Sequence, residues 1–361
     1  MTLRGVALSA VTIGAITAVA WPAASAAVRA AAPARAGCLK VQTLSFSTAQ
    51  DAAALRRWTP TRIRASKGFS QAALAQLSGV GMPHRPAEGA WPASATQCAP
   101  RSGLSRSVDP AAPRAAMPGA PRATASNGYP TIGKLTFDAD GVLSLNCTAT
   151  VINGTAAANN EELIVTAAHC IEGTTGGIAY TSTHLAFSPM WHNNTNPYGT
   201  WTVKKVFLNS GWMQCAIPVV DCHTNPLYDY AVIVLNPRQG KGVGDITGSD
   251  GWSINQPATI DDVAVAGIPA TSSGTLVSVA NAVTVTESGQ RYREASTPGL
   301  TDGSSGGPWL RGFNSTTGRG VLLGDTGGYE QGGPSSGSPS YADYWVGAFA
   351  AVVKDAVKYE G

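Results

Sequence analysis

A glycine-rich turn near the end of the chain carries two adjacent serine hydroxyls. It runs from Asp302 to Pro308 with the sequence DGSSGGP. A serine that attacks a carbonyl group must stand at a turn whose backbone N–H groups converge on the developing oxyanion. Glycine beside that serine lets the backbone adopt the required conformation without a side-chain clash. Ser304 and Ser305 are therefore candidate nucleophiles, although Ser/Gly turns are also common in ordinary loops.

A serine nucleophile also needs a base, and the base needs an acceptor that fixes its tautomer. Of the five histidines, His169 has the most specific setting, because it closes the apolar segment IVTAAHC beside Cys170. Asp229 opens the apolar segment YDYAVIVL, where a carboxylate is costly unless it has a partner. Asp221 and Asp245 are alternatives, but neither leads into a predicted strand.

Three motifs together resemble the chymotrypsin-like (trypsin superfamily) serine proteases, in particular secreted bacterial trypsin-like and glutamyl-endopeptidase-like members. The motifs are TAAHC (Thr166–Cys170), YDYAVIVL (Tyr228–Leu235) and GSSGGP (Gly303–Pro308), in the family order of His, Asp and Ser. The resemblance spans about residues 129–361. It implies an all-β fold of two six-stranded antiparallel barrels with a C-terminal helix. It also implies a serine endopeptidase that acts on proteins or peptides through an acyl-enzyme, without a cofactor or a metal.

The resemblance assigns a role to each matched residue. His169 is the general base and then the general acid, Asp229 orients it, and Ser305 attacks the substrate. Ser305 is preferred to Ser304 because it alone has glycine both two residues before it and immediately after it. The backbone N–H groups of Gly303 and Ser305 would form the oxyanion hole.

Activation and specificity depart from the family pattern or stay open. Ser304 stands where trypsin-type zymogens have an aspartate that binds the new N-terminus, so we expect activation by removal of the basic segment before the body, which would uncover the cleft. Gly299 occupies the position at the base of the specificity pocket, and a trypsin-like acidic base is therefore absent. Asp325 is expected either near the pocket wall, where it would favour a basic substrate side chain, or in an ordinary turn. Cleavage preference stays open.

The elements that must hold these residues are short strands separated by Gly, Pro and Asn. Hydrophobic residues make up 43% of the chain and charged residues 13%, which excludes a disordered, highly charged chain. Strands are predicted over residues 143–152, 163–168, 202–208, 231–235, 263–268, 276–286 and 320–324, and a helix over 346–359. This pattern indicates a β-sandwich or barrel body over residues 127–361.

The segment before this body has a different composition. Residues 27–126 hold 13 Lys and Arg against 3 Asp and Glu, whereas residues 127–361 hold 11 against 19. The proline-rich stretch 99–126 is typical of a linker, and SQAALAQL predicts one short helix with Ser70 as its N-cap. We expect residues 27–126 to be a propeptide that docks electrostatically on the acidic body, as an inhibitor or a chaperone. A nucleic-acid or membrane patch is the alternative explanation of the basic charge.

The first 26 residues have the features of a secretory signal peptide. Arg4 precedes an uncharged apolar stretch, and Ala24-Ser25-Ala26 gives the small-x-small cleavage pattern. The apolar stretch is shorter than the roughly 20 residues that span a bilayer, which argues against a membrane anchor. We therefore expect an exported protein that has no membrane segment once the signal is removed.

Six cysteines suit an oxidising compartment, although the sequence alone does not choose their pairing. A zinc site is the alternative, but there is no C-x-x-C pair and no His cluster at ligand spacing. The family resemblance implies a disulfide between Cys147 and Cys170. That leaves Cys215 with Cys222, and Cys38 with Cys98.

Two other functions fit part of the pattern. The segment GSSGG satisfies the G-x-S-x-G elbow of α/β-hydrolases, but that fold needs the order Ser, Asp, His, and no histidine follows Ser305. A non-catalytic binding protein on a serine-protease fold is the remaining alternative. Proteins of that kind usually lose a triad residue, and here all three candidates are present.

Overall fold

The computed structural model describes residues 40–77, 106–112, 128–154, 162–175, 178–216, 221–287 and 289–360. One compact unit spans Ala34–Gly361. The predicted signal peptide (1–26), the boundary between residues 126 and 127, and the pairing of Cys38 with Cys98 lie outside the described residues. Within these ranges, no helix has both the length and the apolar character needed to cross a bilayer.

Residues 27–126, which we call the leader, and the body at 127–361 both contain regular secondary structure. The leader contributes β1 (Val41–Ser45), α1 (Thr48–Arg57), α2 (Pro60–Ala65), β2 (Lys67–Gly68), α3 (Gln71–Leu74) and β3 (Arg106–Val108). The first half of the body contains β4 (Ile132–Ala139), β5 (Leu143–Val151), β6 (Leu163–Thr166), β7 (Glu172–Thr175), β8 (Ile178–Pro189), β9 (Trp201–Asn209), β10 (Met213–Ala216), β11 (Asp221–Thr224) and β12 (Ala231–Leu235). The second half contains α4 (Val243–Thr247), β13 (Gly251–Ile254), β14 (Thr259–Gly267), β15 (Leu276–Glu287), β16 (Gln290–Ala295), β17 (Pro308–Asn314), β18 (Arg319–Asp325), β19 (Ser340–Asp343) and α5 (Gly347–Glu360).

The first barrel is a closed ring of six antiparallel strands. The order is β9, β12, β6, β5, β4 and β8, and the pairing of β8 with β9 closes the ring. β12 lies between two neighbours and is buried at all five positions, as expected for its uninterrupted apolar sequence AVIVL. The ring places the ends of β6 and β12 side by side.

The second barrel is built from strands of the second half. Its strands follow the order β19, β16, β15, β14, β17 and β18, with β13 and β3 paired beyond β18. A bridge between Thr326 and Ala342 joins the end of β18 to β19. The predicted all-β, two-barrel fold class is confirmed, and so is the C-terminal helix, which is α5.

The sequence predicted the apolar strands better than the polar ones. The strand predicted at 231–235 matches β12, whereas β6 ends at Thr166 because residues 168–170 form a 3₁₀ turn. The patterns gave no sign of β4, which carries Lys134, Thr136 and Asp138. All three of these polar side chains are nevertheless buried in the structure.

Residues 40–77 of the leader pack into the same compact unit as the barrels. β1 pairs antiparallel with β9 over five residues, and β2 pairs parallel with β5 over two. The helix predicted after Ser70 is present but short: α3 ends at Leu74, and the Ser70 hydroxyl accepts a hydrogen bond from the Ala73 N–H at 3.2 Å. The sequence reasoning missed α1 and α2, although Ser47 and Thr59 precede them as N-caps.

Candidate active site

The strand register of the first barrel brings His169 and Asp229 together. Thr166, the last residue of β6, stands opposite Ala231, the first residue of β12. His169 follows three residues after Thr166 in a 3₁₀ turn, and Asp229 comes two residues before Ala231 at the end of another. Because the two strands are antiparallel, these short extensions meet at the same end of the barrel.

Three hydrogen bonds fix the Asp229 carboxylate. Its Oδ2 lies 2.7 Å from His169 Nδ1, and its Oδ1 accepts the His169 backbone N–H at 2.8 Å. Oδ2 also accepts the backbone N–H of Gly328 at 2.8 Å. The side chains of His169 and Asp229 are fully buried. A buried carboxylate with this number of donors is held in one orientation, and it holds the imidazole in turn.

A disulfide and a tyrosine fix the backbone of His169. Cys147 of β5 is bonded to Cys170, and the Tyr180 hydroxyl donates to the His169 carbonyl oxygen at 2.6 Å. Burial, with Asp229 as the next cause, raises the pKa of Tyr180 well above its usual value, so Tyr180 is neutral. The sulfur atoms near His169 are consumed in the disulfide and offer no thiolate to a metal.

A second disulfide joins Cys215 to Cys222 across the hairpin of β10 and β11. Both pairings implied for the body are therefore present in the structure.

The serine turn lies against β5 and the end of β6. The carbonyl oxygen of Ser305 accepts the Thr148 N–H at 2.8 Å. Gly306 has a φ of +77°, and a Cβ at this position would collide with Thr166 Oγ1 and approach Ala167 to within 2.8 Å. Only glycine fits this contact. Because Ala167 is two residues before His169, the contact brings the serine turn close to the imidazole.

Two backbone N–H groups of the turn have no acceptor among the described residues. The N–H groups of Ser304, Gly306 and Gly307 donate to backbone oxygens at 2.7–2.9 Å. Those of Gly303 and Ser305 donate to no group in the described part of the chain. Gly303 has a φ of +97° and its missing Cβ would lie 2.7 Å from Asn146 Nδ2, so this position also requires glycine. The turn leaves two donors free on either side of Ser304.

The two serines differ in their surroundings. The Ser304 hydroxyl is buried and has no hydrogen-bond partner within the described ranges. It faces Gly267, where a Cβ would come within 2.7 Å of the hydroxyl oxygen. Ser305 is 8% exposed. Both serines line a cavity of about 200 Å³.

That cavity is lined by residues of both the body and the leader. Its body lining includes Leu300, Asp302 and Glu330 besides the two serines. Gly299 adjoins this lining through Leu300 but is not part of it, and it adopts a left-handed φ of +91°. Asp325 is also outside the lining, because it is fully buried behind Asp229.

Phe69 of the leader packs against the His169 imidazole, a contact that the sequence did not predict. The Phe69 ring lies 4.5 Å from the His169 ring, centroid to centroid, at an angle of 34°. Gly68 lies so close to the Asp302 carbonyl that no Cβ would fit between them. Phe69, Ser70 and Gln71 also line the cavity beside Ser305. No motif marks Phe69 in the sequence, because its role depends on long-range packing.

Comparison with known proteins agrees with this architecture. The sequence model of the family described as Trypsin matches residues 122–337. Protease Anisep from Arthrobacter nicotinovorans is similar at 25% identity and a TM-score of 0.52, covering 64% of this chain and 97% of that chain. The thermostable serine protease AL20 from an extremophilic microorganism shares the fold at 20% identity and a TM-score of 0.50, covering 65% and 99%. No curated protein matches the sequence.

The family match covers more than half of the chain, including the three motifs and every strand from β4 to β18. This chain belongs to the trypsin family of chymotrypsin-like serine proteases.

Proposed function

We propose that this protein is a secreted serine endopeptidase that hydrolyses peptide bonds through His169, Asp229 and Ser305. The observation that carries the proposal is the buried pair in which Asp229 Oδ2 lies 2.7 Å from His169 Nδ1. Because Nδ1 is bound to Asp229, Nε2 is the nitrogen left for proton transfer, and it makes no hydrogen bond in the described part of the chain.

The reaction follows from these positions. Ser305 Oγ attacks the carbonyl carbon of the scissile bond while His169 Nε2 takes its proton. The C–N bond then breaks as His169 returns the proton to the leaving amine, which leaves an acyl-enzyme. Water repeats the two steps and releases the acid. The free N–H groups of Gly303 and Ser305 suit the oxyanion of both tetrahedral intermediates.

A fluorophosphonate probe tests this function. The full-length protein is cut by limited proteolysis in the 113–127 stretch, and the cleaved leader is removed by dilution and chromatography. The remaining protein is exposed to the probe and mapped by peptide mass spectrometry. We expect the label on Ser305, its loss in His169→Ala, and its retention in Ser304→Ala. If the leader-free protein takes no label, the non-catalytic binding protein is the better explanation.

Export and processing complete the proposal. Residues 1–26 would direct the chain out of the cell, and residues 27–126 would be the propeptide of a peptidase domain at 127–361. N-terminal sequencing of the exported and the mature proteins would test both boundaries.

The leader is proposed to keep the precursor inactive by covering the site. We define the anchor segment as residues 41–65 and the plug segment as residues 67–74. The anchor segment binds the body through β1 and through Arg57, whose Nε and Nη2 donate to Asp138 at 2.8 and 2.9 Å. The plug segment places the Phe69 ring over His169. A substrate cannot reach the imidazole while this ring is there.

Ser304 supports the same activation route. A serine cannot form an ion pair with a new N-terminus, so activation by removal of the leader is the simpler mechanism. The test is the peptidase activity of the purified, uncut precursor. Activity that appears only after cutting supports the mechanism, whereas full activity before any cut refutes it.

A further inference from the structure

Two buried aspartates lie behind Asp229. Asp325 ends β18 and Asp343 ends β19. The antiparallel bridge between Thr326 and Ala342 places these aspartates directly opposite each other on neighbouring strands. Side chains at opposite positions share one face of the sheet, with Cβ atoms about 5 Å apart. They are 0% and 1% exposed, so both side chains are buried on this face of the sheet.

The pair adjoins the proposed triad through one glycine. The Gly328 N–H donates to Asp229 Oδ2 at 2.8 Å. A Cβ on Gly328 would collide with Asp343 Oδ1, and the φ of this residue is +77°. The backbone N–H of Asp229 also approaches the Asp343 carboxyl. Asp343, Gly328 and Asp229 are therefore in continuous contact.

No cation among the described residues compensates the pair. None of the four carboxyl oxygens of Asp325 and Asp343 has a hydrogen-bond partner of ordinary geometry in the described part of the chain, although the indole N–H of Trp345 approaches Asp325 and lowers its pKa by less than burial raises it. The titratable groups that face the pair from the neighbouring elements are Asp229, Tyr230 and Tyr292. His169 is already hydrogen-bonded to the Asp229 carboxylate.

Three buried negative charges beside one imidazole would be very costly. Each buried ion costs several kcal/mol after relaxation, and like charges at opposite strand positions repel. Burial raises the pKa of both Asp325 and Asp343 well above its usual value, and the charge of Asp229 raises it further. A carboxylic acid that keeps its proton avoids both penalties and gains a donor.

We propose that Asp325 and Asp343 are neutral carboxylic acids at the working pH and act as positioning residues, so that Asp229 is the single negative charge held against His169. The inference rests on the proposed function for its catalytic meaning, but the protonation state does not depend on activity.

Ionisation of the pair would also set an upper pH limit on activity and stability. The folded pKa of each acid is raised, so its contribution to stability is complete below the ordinary pKa and is lost as pH rises through the folded value. Ionisation would place a second charge behind Asp229 and disturb its geometry. Catalysis would then fall together with stability.

The protonation state is measured by infrared spectroscopy on the full-length chain carrying Ser305→Ala, which prevents self-digestion. The spectra are taken at about pH 8, above the pKa of about 7 of the buried Glu172 and Asp250. We expect a protonated-carboxyl band that loses intensity in Asp325→Asn and in Asp343→Asn. Asp250→Asn is the matched control, a buried carboxyl in another hydrogen-bond network, and should leave the band unchanged. A band unaffected by the first two substitutions overturns the proposal.

The pH profile of kcat/KM tests the positioning role. We expect Asp325→Asn and Asp343→Asn to keep activity within about threefold at neutral pH, because each replaces one neutral group by another. In the pH profiles of both variants, the acidic limb should stay in place and the alkaline limb should move to higher pH. If the pair were ionised, each substitution would remove a negative charge near His169. The midpoint of the acidic limb of the kcat/KM profile would then fall by about one pH unit or more, and that shift would overturn the proposal. An inactive wild-type protein would refute the proposed function instead, and the infrared result would still stand.

Discussion

The anchor segment and the plug segment of the leader bind the body in different ways. The anchor segment adds a five-residue strand to the first barrel and buries Trp58 and Ile63. The plug segment pairs over two residues, and its main contact with the site is the Phe69 ring. These contacts place most of the binding strength in the anchor segment and the proposed inhibition in the plug segment. The comparison predicts that substitutions can separate the two properties.

The largest expected effect comes from the plug segment. Phe69 is 2% exposed, and truncating a buried Phe to Ala typically costs about 3–5 kcal/mol. We expect Phe69→Ala to uncover His169 while the anchor segment stays bound. The uncut precursor should then react with a fluorophosphonate probe at least about tenfold faster. Leu55→Ala is the control, because Leu55 belongs to the anchor segment and is 51% exposed. Equal labelling rates for both variants would remove Phe69 from the inhibitory role.

The next largest effect is a pH dependence of folding stability at the anchor segment. Gln42 of β1 donates to Glu172 Oε1 at 2.9 Å, and burial raises the pKa of Glu172 to about 7. The folded state therefore holds a proton that the unfolded chain releases near pH 4.5. Its stabilisation is complete below that pH and is lost as pH rises through about 7, a difference of roughly 3 kcal/mol at most.

Chemical denaturation of the Ser305→Ala chain at about pH 5 and pH 8 measures this difference. Glu172→Gln should lose that part of the pH dependence, because it keeps the hydrogen-bonding side chain without a proton to release. Phe69→Ala should keep it. A Glu172→Gln profile parallel to that of the parent would show that Glu172 does not link proton binding to folding.

A smaller effect is expected from the ion pair of the anchor segment. Asp138 is 1% exposed, and its two oxygens accept from Arg57 at 2.8 and 2.9 Å. Arg57→Ala would leave this carboxylate buried with Ser144 and His184 as its remaining side-chain partners. We expect a cost of about 2 kcal/mol, less than for a fully buried pair, because the Arg57 side chain is 30% exposed.

The measurement is the rate at which a precursor nicked in the 113–127 stretch releases its leader on dilution, which should rise roughly 30-fold. Arg56→Ala is the control from the same helix, with an exposed side chain. Release at the same rate from both variants would place the binding strength elsewhere in the anchor segment.

The fold and the triad candidates were predictable because their signals are local. Each signal occupies only a few residues: an uninterrupted apolar strand, a serine flanked by glycines, and a histidine beside a cysteine. Asp229 could be singled out by the cost of a carboxylate next to AVIVL. The structure adds the register of Thr166 with Ala231, which explains why these two short motifs meet.

Long-range packing was not predictable. Nothing around Phe69 indicates that its ring covers an imidazole 100 residues further along the chain. Asp325 was expected near the pocket wall or in an ordinary turn, and it lies instead in a buried pair with Asp343. The sequence could not reveal that pair, because the bridge from Thr326 to Ala342 joins strands whose contact depends on barrel closure.

The smallest effect tests the polar part of the plug segment. Gln71 Nε2 donates to Gln331 Oε1 at 2.6 Å, but the contact is exposed. Water replaces such a bond readily, so Gln71→Ala should cost about 0.5 kcal/mol and raise probe labelling of the uncut precursor about twofold. The ratio to Phe69→Ala is the informative quantity. If Gln71→Ala raised the labelling rate as much as Phe69→Ala, the polar contacts would hold the plug segment in place. The Phe69 ring would then contribute little to its binding.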